Sequence, residues 1–149
     1  MPHSVKSSTS ELVKFFNSIK VIPKTAFGCP AAANTFENLF KLGDKFCLCL
    51  VSGDKRCSLN KLKKKLSKKE VSMASHDEVK QITGYTIGGV SPIGHLVNTK
   101  VYMDKHLERF SKVFAAAGHP NAVFGITFIE LKKLTNSEVD DLTEWGNQN

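Results

Sequence analysis

The sequence lacks any apolar run long enough to cross a lipid bilayer, which takes about 20 residues in a helix. Its opening residues, MPHSVKSSTSELVKFF, also lack the apolar stretch of a secretory signal. These two absences argue against a membrane-spanning or exported protein, and they predict a cytoplasmic location without a membrane partner. The 149 residues, 41% hydrophobic and 23% charged, are an ordinary composition for one globular domain.

The common catalytic and metal-binding motifs are absent as well. There is no H-E-x-x-H, no G-x-S-x-G and no P-loop, which argues against the enzyme classes that depend on them. Cysteines at 29, 47, 49 and 57 include no C-x-x-C pair, and the five histidines have no metal-like spacing, so no metal site is predicted. Cys47 and Cys49 alternate within an apolar run, and we expect both as reduced thiols on one buried strand face. His95 and His119 are the better-placed histidines, because each directly follows a glycine.

Positive charge is in excess and concentrated in one segment. The net charge is +7, and much of it lies in K-L-K-K-K-L-S-K-K. The segment Leu59–Leu66 is predicted to be a basic helix, with Leu59, Leu62 and Leu66 as its buried stripe. Its lysines are either a solvated helix face or a patch for the phosphates of a nucleic acid. The candidates for that patch are Lys61, Lys63, Lys64, Lys65, Lys68 and Lys69.

The segment from Thr83 to His95, T-G-Y-T-I-G-G-V-S-P-I-G-H, packs four glycines and one proline into thirteen residues. Glycine lets a ligand approach the main chain closely and adopts backbone angles that other residues avoid. Apolar residues alternate with the glycines and can anchor the loop in a core. The segment is therefore either an anchored binding loop or a pair of tight turns between a helix and a strand.

Periodicity and turn signals predict an α+β fold, a single domain with one mixed β-sheet and helices packed around it. A hairpin is expected from 38–42 and 45–52, the second strand central and buried on both faces. Shorter strands are expected at 21–23, 71–73, 101–103 and 122–128. Helices are expected at 11–20, at 76–83 with an S-x-x-E capping box, at 105–117 after Asp104, and from Thr135 to Trp145.

Four segments carry a family resemblance. In order along the chain they are L-V-S-G-D-K-R, I-T-G-Y-T, G-G-V-S-P-I-G-H and A-A-A-G-H-P-N-A-V-F. In order and spacing they resemble the YbaK and prolyl-tRNA-synthetase-associated editing domains, and the similarity runs from about Thr25 to Thr135.

The resemblance implies a free-standing deacylase that hydrolyses the ester joining a wrong amino acid to tRNA, often tRNA for proline. In this family a G-x-x-x-P loop presents backbone N–H groups to the aminoacyl group. No protein nucleophile is required, because water is activated with help from the substrate, and no metal or organic cofactor is expected. The implied partners are the aminoacylated tRNA 3′ end, whose backbone would meet the lysine patch, and an aminoacyl-tRNA synthetase. By matching position the loop is formed by Gly88, Gly89 and Pro92, the second pocket loop by His119, Pro120 and Asn121, and Tyr85 and Gly94 complete the substrate-binding set.

The chain departs from the family at one position. Members usually carry a lysine at the start of the first hairpin strand, but three registers place Glu37, Phe36 or Asn34 there. Lys41 lies on the same strand face as Glu37, so it either reaches inward or is exposed to solvent. Asn34 and Lys41 are therefore the catalytic candidates beside the glycine loop, unless the usual activity is lost.

Two functions follow from these patterns. The first is an aminoacyl-tRNA deacylase, and the second is a non-catalytic module that holds tRNA or a synthetase with the same fold. The predicted organisation is an N-terminal helix and edge segment over 1–24, followed by the editing domain over 25–149. The amino acid removed, the tRNA and the oligomeric state are left open by the sequence.

Overall fold

The structure is a computed structural model that describes residues 21–23 and 33–145. These residues contain ten strands, three α-helices and one 3₁₀ helix. The strands are β1 (Val21–Pro23), β2 (Thr35–Leu42), β3 (Lys45–Ser52), β4 (Lys55–Cys57), β5 (Ser72–Met73), β6 (Lys100–Asp104), β7 (Val113–His119), β8 (Ala122–Ile126), β9 (Glu138–Asp140) and β10 (Thr143–Trp145). The α-helices are α1 (Leu59–Leu66), α2 (His76–Thr83) and α3 (Phe128–Thr135), and the 3₁₀ helix is Lys105–Arg109.

The strands form three sheets. The central sheet has five strands in the order β5-β2-β3-β6-β9. It is mixed, because β2 pairs antiparallel with β3 and β5, whereas β3, β6 and β9 run parallel. The second sheet has the order β1-β8-β7, and the third joins β10 to β4. The predicted α+β class, the central hairpin and the edge strand at 21–23 are thereby confirmed, while the division of the strands into three sheets was not predicted.

Strand β3 lies at the centre of the fold and is buried on both faces. Leu48 and Leu50 point into one hydrophobic cluster, which contains the inward faces of β7, β8, α2 and α3. Cys47 and Cys49 point into a second cluster with Leu62 of α1. The β7–β8 hairpin and α1 therefore cover opposite faces of the central sheet. Both cysteines are free thiols, as predicted.

Local signals place the short helices correctly. Ser75 and Glu78 form the expected capping box of α2, and Gly84 ends that helix at φ +81°. Helix α1 begins after Ser58, which accepts a hydrogen bond from the Lys61 N–H. The predicted buried stripe of α1 is only partly right: Leu62 is fully buried, but Leu59 is 38% exposed.

The helix predicted over 105–117 is wrong. A 3₁₀ turn capped by Asp104 ends at Arg109, and the chain continues as strand β7. Three consecutive alanines favour a helix locally. The segment instead pairs with β8, and its residues alternate: Val113 and Ala115 face the core, and Phe114 and Ala116 face away from it. Gly118 lies within an irregularity of the pairing at φ +88°, not at a helix end.

The last helix is also misplaced by the prediction. Helix α3 begins after Thr127, whose capping box with Glu130 was overlooked, and Asn136 in the left-handed region ends it. The residues beyond it form β9 and β10 and not a helix from Thr135. Leu142 is fully buried and lies in the connection between these two strands.

Some predictions concern residues that the structure does not describe. The helix at 11–20 and Cys29 lie outside the described residues, and the division at residue 24 stays a prediction. None of the helices among the described residues combines the length and the apolar character that a membrane span requires.

Candidate functional site

A cleft opens where the central sheet and the second sheet separate. Asn34 bridges Phe114 in a parallel arrangement, and β2 and β7 diverge beyond this point. Among the described residues, the outer edge of β2 gains a neighbour again only at Phe40, which pairs with Met73 of β5. The exposed stretch of strand edge between these points lines a cavity of about 250 Å³.

The walls of this cleft differ in polarity. The β7–β8 hairpin supplies an apolar wall of Phe114, Ala116 and Val123. Strand β2 and the residue before it supply most of the polar groups, and the glycine loop closes the third side. The residues contributed by β2 and the loop are Asn34, Thr35, Phe36, Glu37, Asn38, Ile87, Gly88 and Val90. A cleft with one apolar and one polar wall suits a small amphipathic ligand.

The glycine loop sits directly on the tip of the hairpin. A Cβ atom on Gly89 would lie 3.0–3.1 Å from three backbone atoms of His119, so only glycine allows this approach. Gly88 has φ +91° and faces Pro120, whose ring a Cβ would meet at 3.7 Å. The Gly89 N–H closes a turn by donating to the Thr86 carbonyl oxygen at 3.0 Å.

Other amides of the loop lack a protein acceptor. Within the described part of the chain, the backbone N–H groups of Ile87, Gly88 and Val90 donate to no protein acceptor. All three residues line the cleft. Free amides on a rigid loop can bind a carbonyl oxygen and the negative charge that develops on it during ester hydrolysis.

Tyr85 anchors the loop from outside the cleft. Its hydroxyl donates to the Ile93 carbonyl oxygen at 2.8 Å, and its ring meets His95 edge to face with centroids 6.0 Å apart. A Cβ on Gly94 would lie 2.8 Å from the tyrosine oxygen, and one on Gly118 would lie 3.2 Å from its ring. Tyr85 therefore joins the loop to the bulge of β7, which fixes the geometry of the cleft indirectly.

His95 is held in a neutral, structural state. Its Nε2 lies 2.6 Å from the Ser91 carbonyl oxygen, which can only accept, so Nε2 carries the proton. Nδ1 then accepts from the Thr99 hydroxyl at 3.3 Å. Burial lowers the pKa of His95, and the hydrogen bond to Ser91 opposes this only in part. The imidazole thus stabilises the loop by hydrogen bonds to Ser91 and Thr99.

The structure brings only some of the predicted site residues together. Asn34, Gly88 and Pro120 line the cleft, and Gly89 seats the loop beside it. Pro92 and Gly94 instead line a second cavity of about 370 Å³ between the loop and α3. His119 and Asn121 lie on the exposed hairpin turn, where the Asn121 N–H donates to His119 Nδ1 at 3.1 Å.

Lys41 lies away from the cleft. Its Nζ is 2.9 Å from Glu78 Oε2 of α2, and it lines a third cavity, of about 520 Å³, with Lys63 and Lys69. The site residues that the sequence analysis did not propose are chiefly Thr35, Glu37 and Phe114. Alternation along β2 and β7 could have grouped them, but only if β7 had been recognised as a strand.

The predicted lysine patch divides into two groups. Lys61 pairs with Asp141 at 3.1 Å, and Lys65 pairs with Glu138 and Asp140 at 2.7 and 2.9 Å. Hydrogen bonds to both carboxylates hold the pKa of Lys65 well above its usual range. Lys63, Lys64, Lys68 and Lys69 form no ion pair within the described residues, so these four can contact phosphates.

Asp104, His106 and Asp141 are the one group of three potential metal ligands among the described residues. Protein donors already occupy the carboxylates. Asp104 accepts from the Leu142 N–H at 2.9 Å and the Thr143 hydroxyl at 3.1 Å, and Asp141 pairs with Lys61. We assign this group to the structure of the fold.

Comparison with known proteins finds similarity over most of the chain. Residues 19–134 match the family model of the aminoacyl-tRNA editing domain. The protein YwhH of Bacillus subtilis (strain 168) is 35% identical over 105 residues, which cover 69% of this chain and 66% of YwhH. EbsC of Enterococcus faecalis, provisionally named as a Cys-tRNA(Pro)/Cys-tRNA(Cys) deacylase, is 26% identical over 110 residues, 72% of this chain and 67% of EbsC. The chain thus spans about two thirds of the length of these curated relatives.

The fold is found among solved structures as well. A protein provisionally described as a trans-editing enzyme for prolyl tRNA synthetase superimposes with a TM-score of 0.83 at 31% identity. The superposition covers 89% of this chain and 91% of that one.

Proposed function

The chain belongs to the aminoacyl-tRNA editing domain family, and from this premise we propose that it is an aminoacyl-tRNA deacylase. It hydrolyses the ester between a wrong amino acid and the 3′ end of tRNA. The observation that carries this proposal is the cleft between β2 and the hairpin, closed by a loop whose Gly88 and Val90 amides donate to no acceptor among the described residues. The ester carbonyl binds the Gly88 and Val90 N–H groups, and the apolar wall takes the amino-acid side chain.

Water attacks the ester carbonyl carbon directly in this proposal. Among the described residues that line the cleft there is no serine or cysteine, and the Thr35 hydroxyl is engaged by Glu37 and by the Phe114 carbonyl oxygen. The carbon–oxygen bond to the ribose breaks, and the products are the free amino acid and a tRNA with a free 3′ hydroxyl. The protein contributes positioning and amide hydrogen bonds, which together supply a large share of many enzymatic rate enhancements.

The tRNA for proline is the proposed substrate, and a prolyl-tRNA synthetase is the proposed protein partner. Both proposals are supported by the names of the relatives EbsC and the trans-editing enzyme. The cleft volume of about 250 Å³ suits a small amino acid. Alanine, cysteine and serine are the charges to test first.

The deacylase proposal is tested with tRNA(Pro) charged with alanine, cysteine or serine under single-turnover conditions. We expect at least one ester to be hydrolysed well above its uncatalysed rate. The described lining of the cleft contains no lysine, arginine or histidine, which favours the non-catalytic module as the second candidate. Tight tRNA binding without hydrolysis of any of the three esters would contradict the deacylase and support that module.

The four lysines that form no ion pair within the described residues are predicted to bind the tRNA backbone. Replacing Lys63, Lys64, Lys68 and Lys69 with alanine should weaken tRNA binding at least about 10-fold at low salt. The slope of log affinity against log salt should fall by about one for each lysine–phosphate interaction that the substitutions remove. A fluorescence anisotropy titration at several salt concentrations measures both quantities.

A matched control removes the same charge elsewhere. Alanine at Lys45, Lys105, Lys132 and Lys133 lowers the net charge equally, and these side chains form no ion pair within the described part of the chain. An equal loss of affinity in both quadruple variants would show that these four lysines are ordinary solvent-exposed residues and not a tRNA-binding patch.

A further inference from the structure

Glu37 is the only ionisable side chain among the described residues that line the cleft. The other lining residues are apolar or neutral, although the chain as a whole carries a net charge of +7. Glu37 thus places one carboxylate among otherwise neutral described lining residues. Such a carboxylate favours a neutral or positive ligand group beside it.

The position of this carboxylate is fixed by its neighbours. Thr35, 6% exposed, donates its hydroxyl to Glu37 Oε1, and the same hydroxyl lies 3.3 Å from the Phe114 carbonyl oxygen. Thr35 and Glu37 share one face of β2, and the Asn34–Phe114 bridge closes the cleft next to them. The carboxylate therefore lies near the closed end of the cleft, beside the apolar wall.

An aminoacyl-tRNA 3′ end offers one positive group to such a carboxylate. Its phosphates are negative, its ribose and ester are neutral, and its α-amino group is protonated below a pKa of about 7.7–8.0. Resting on the proposed function, we propose that Glu37 binds the α-ammonium group of the aminoacyl ester. It thereby orients the ester carbonyl toward the Gly88 and Val90 amides.

This assignment makes the free amine a determinant of specificity. A charge-assisted hydrogen bond to a carboxylate is worth about 10- to 100-fold in binding. An ester that lacks the amine gives up that interaction, and a site that hydrogen-bonds one substrate group discriminates against analogues without it. Glu37 is then a specificity-determining residue that selects aminoacyl esters from other acyl esters.

The test compares alanyl-tRNA(Pro) with propionyl-tRNA(Pro), which lacks only the amine. Each single-turnover rate is divided by the uncatalysed rate for the same ester, because the ammonium also activates the ester itself. We expect the wild-type protein to prefer the alanyl ester at least about 10-fold. In Glu37→Gln this preference should fall to about 1, by loss of rate on the alanyl ester alone.

Glu78→Gln is the matched control. It removes the same charge from a carboxylate that pairs with Lys41 outside the cleft, so the preference for the alanyl ester should be retained. An equal loss on both esters in Glu37→Gln would show a role in activating water or in folding and would overturn the assignment. An unchanged preference in Glu37→Gln would overturn it as well.

A second measurement does not depend on turnover. The wild-type protein is titrated with 3′-alanylamino-3′-deoxyadenosine and with its propionylamino analogue, whose amide bonds resist hydrolysis. We expect the alanyl form to bind at least about 10-fold more tightly at pH 6.5. If both esters stay intact in the kinetic test but this difference is present in the wild type and lost in Glu37→Gln, the deacylase proposal fails and the Glu37 assignment holds. Equal binding, or no binding of the alanyl form, overturns the assignment.

Discussion

Replacing Gly89 with alanine is expected to slow deacylation at least about 100-fold. The added Cβ would lie 3.0–3.1 Å from the Cα, C and N atoms of His119, and backbone atoms cannot move aside as a flexible side chain can. The loop and the hairpin must therefore separate, and the Gly88 and Val90 amides move with the loop. A displacement of about 1 Å in a catalytic group can cost about 100-fold in rate. Single-turnover deacylation of the best tRNA(Pro) ester measures the effect.

Gly43→Ala is the control for this prediction. Gly43 has φ +68° in the turn between β2 and β3, and a Cβ there would meet nothing within 4 Å. The substitution strains the backbone without touching the cleft, so activity should stay near that of the wild type. A Gly89→Ala protein that melts like the wild type and retains its rate would show that the loop is not part of the active site.

Replacing Asp104 with alanine is expected to destabilise the protein by about 3 kcal/mol or more. The carboxylate is fully buried and accepts from the Leu142 N–H, the Thr143 hydroxyl and the His106 N–H. Each buried donor that loses its acceptor costs about 1–3 kcal/mol. These hydrogen bonds hold the segment that leads into β10 against β6, so that segment should loosen first. Urea unfolding measures the change in free energy.

Asp141→Ala provides the comparison for Asp104. Asp141 is close by, but it is partly exposed, and its ion pair with Lys61 is of the kind worth about 0–1 kcal/mol. The two variants should therefore differ by about 2 kcal/mol or more. Equal losses of stability in the two variants would show that the Asp104 hydrogen bonds do not hold the third sheet in place.

Local signals were sufficient for one part of the fold. The hairpin of β2 and β3, helix α1 and the capping box of α2 depend on residues close together in the chain, and all were predicted from the sequence. The segments 113–119 and 138–145 depend on pairing with other strands, the first with β8 across a hairpin turn and the second with the distant β6 and β4. The sequence predicted a helix in each of these segments, and strand pairing overrode the local preference in both.

The candidate site, like the fold, could be predicted from the sequence only in part. The glycine loop could be identified from composition and family resemblance, and Gly88 does line the cleft. The part played by Glu37 could not, because it depends on where β2 and β7 diverge and on how late β5 covers the strand edge. Lys41 shares a strand face with Glu37, as predicted. It lies further along β2, however, next to α2, where it pairs with Glu78.

The most direct test of the proposed site is to locate the aminoacyl end on the protein. Backbone amide NMR shifts would be followed while 3′-alanylamino-3′-deoxyadenosine is added to the wild-type protein. We expect the largest shifts at Gly88, Val90 and residues 36–38 of β2. Shifts confined to the cavity lined by Pro92, His95 and Thr99, or to the lysine-lined cavity near Lys41, would contradict the proposed site.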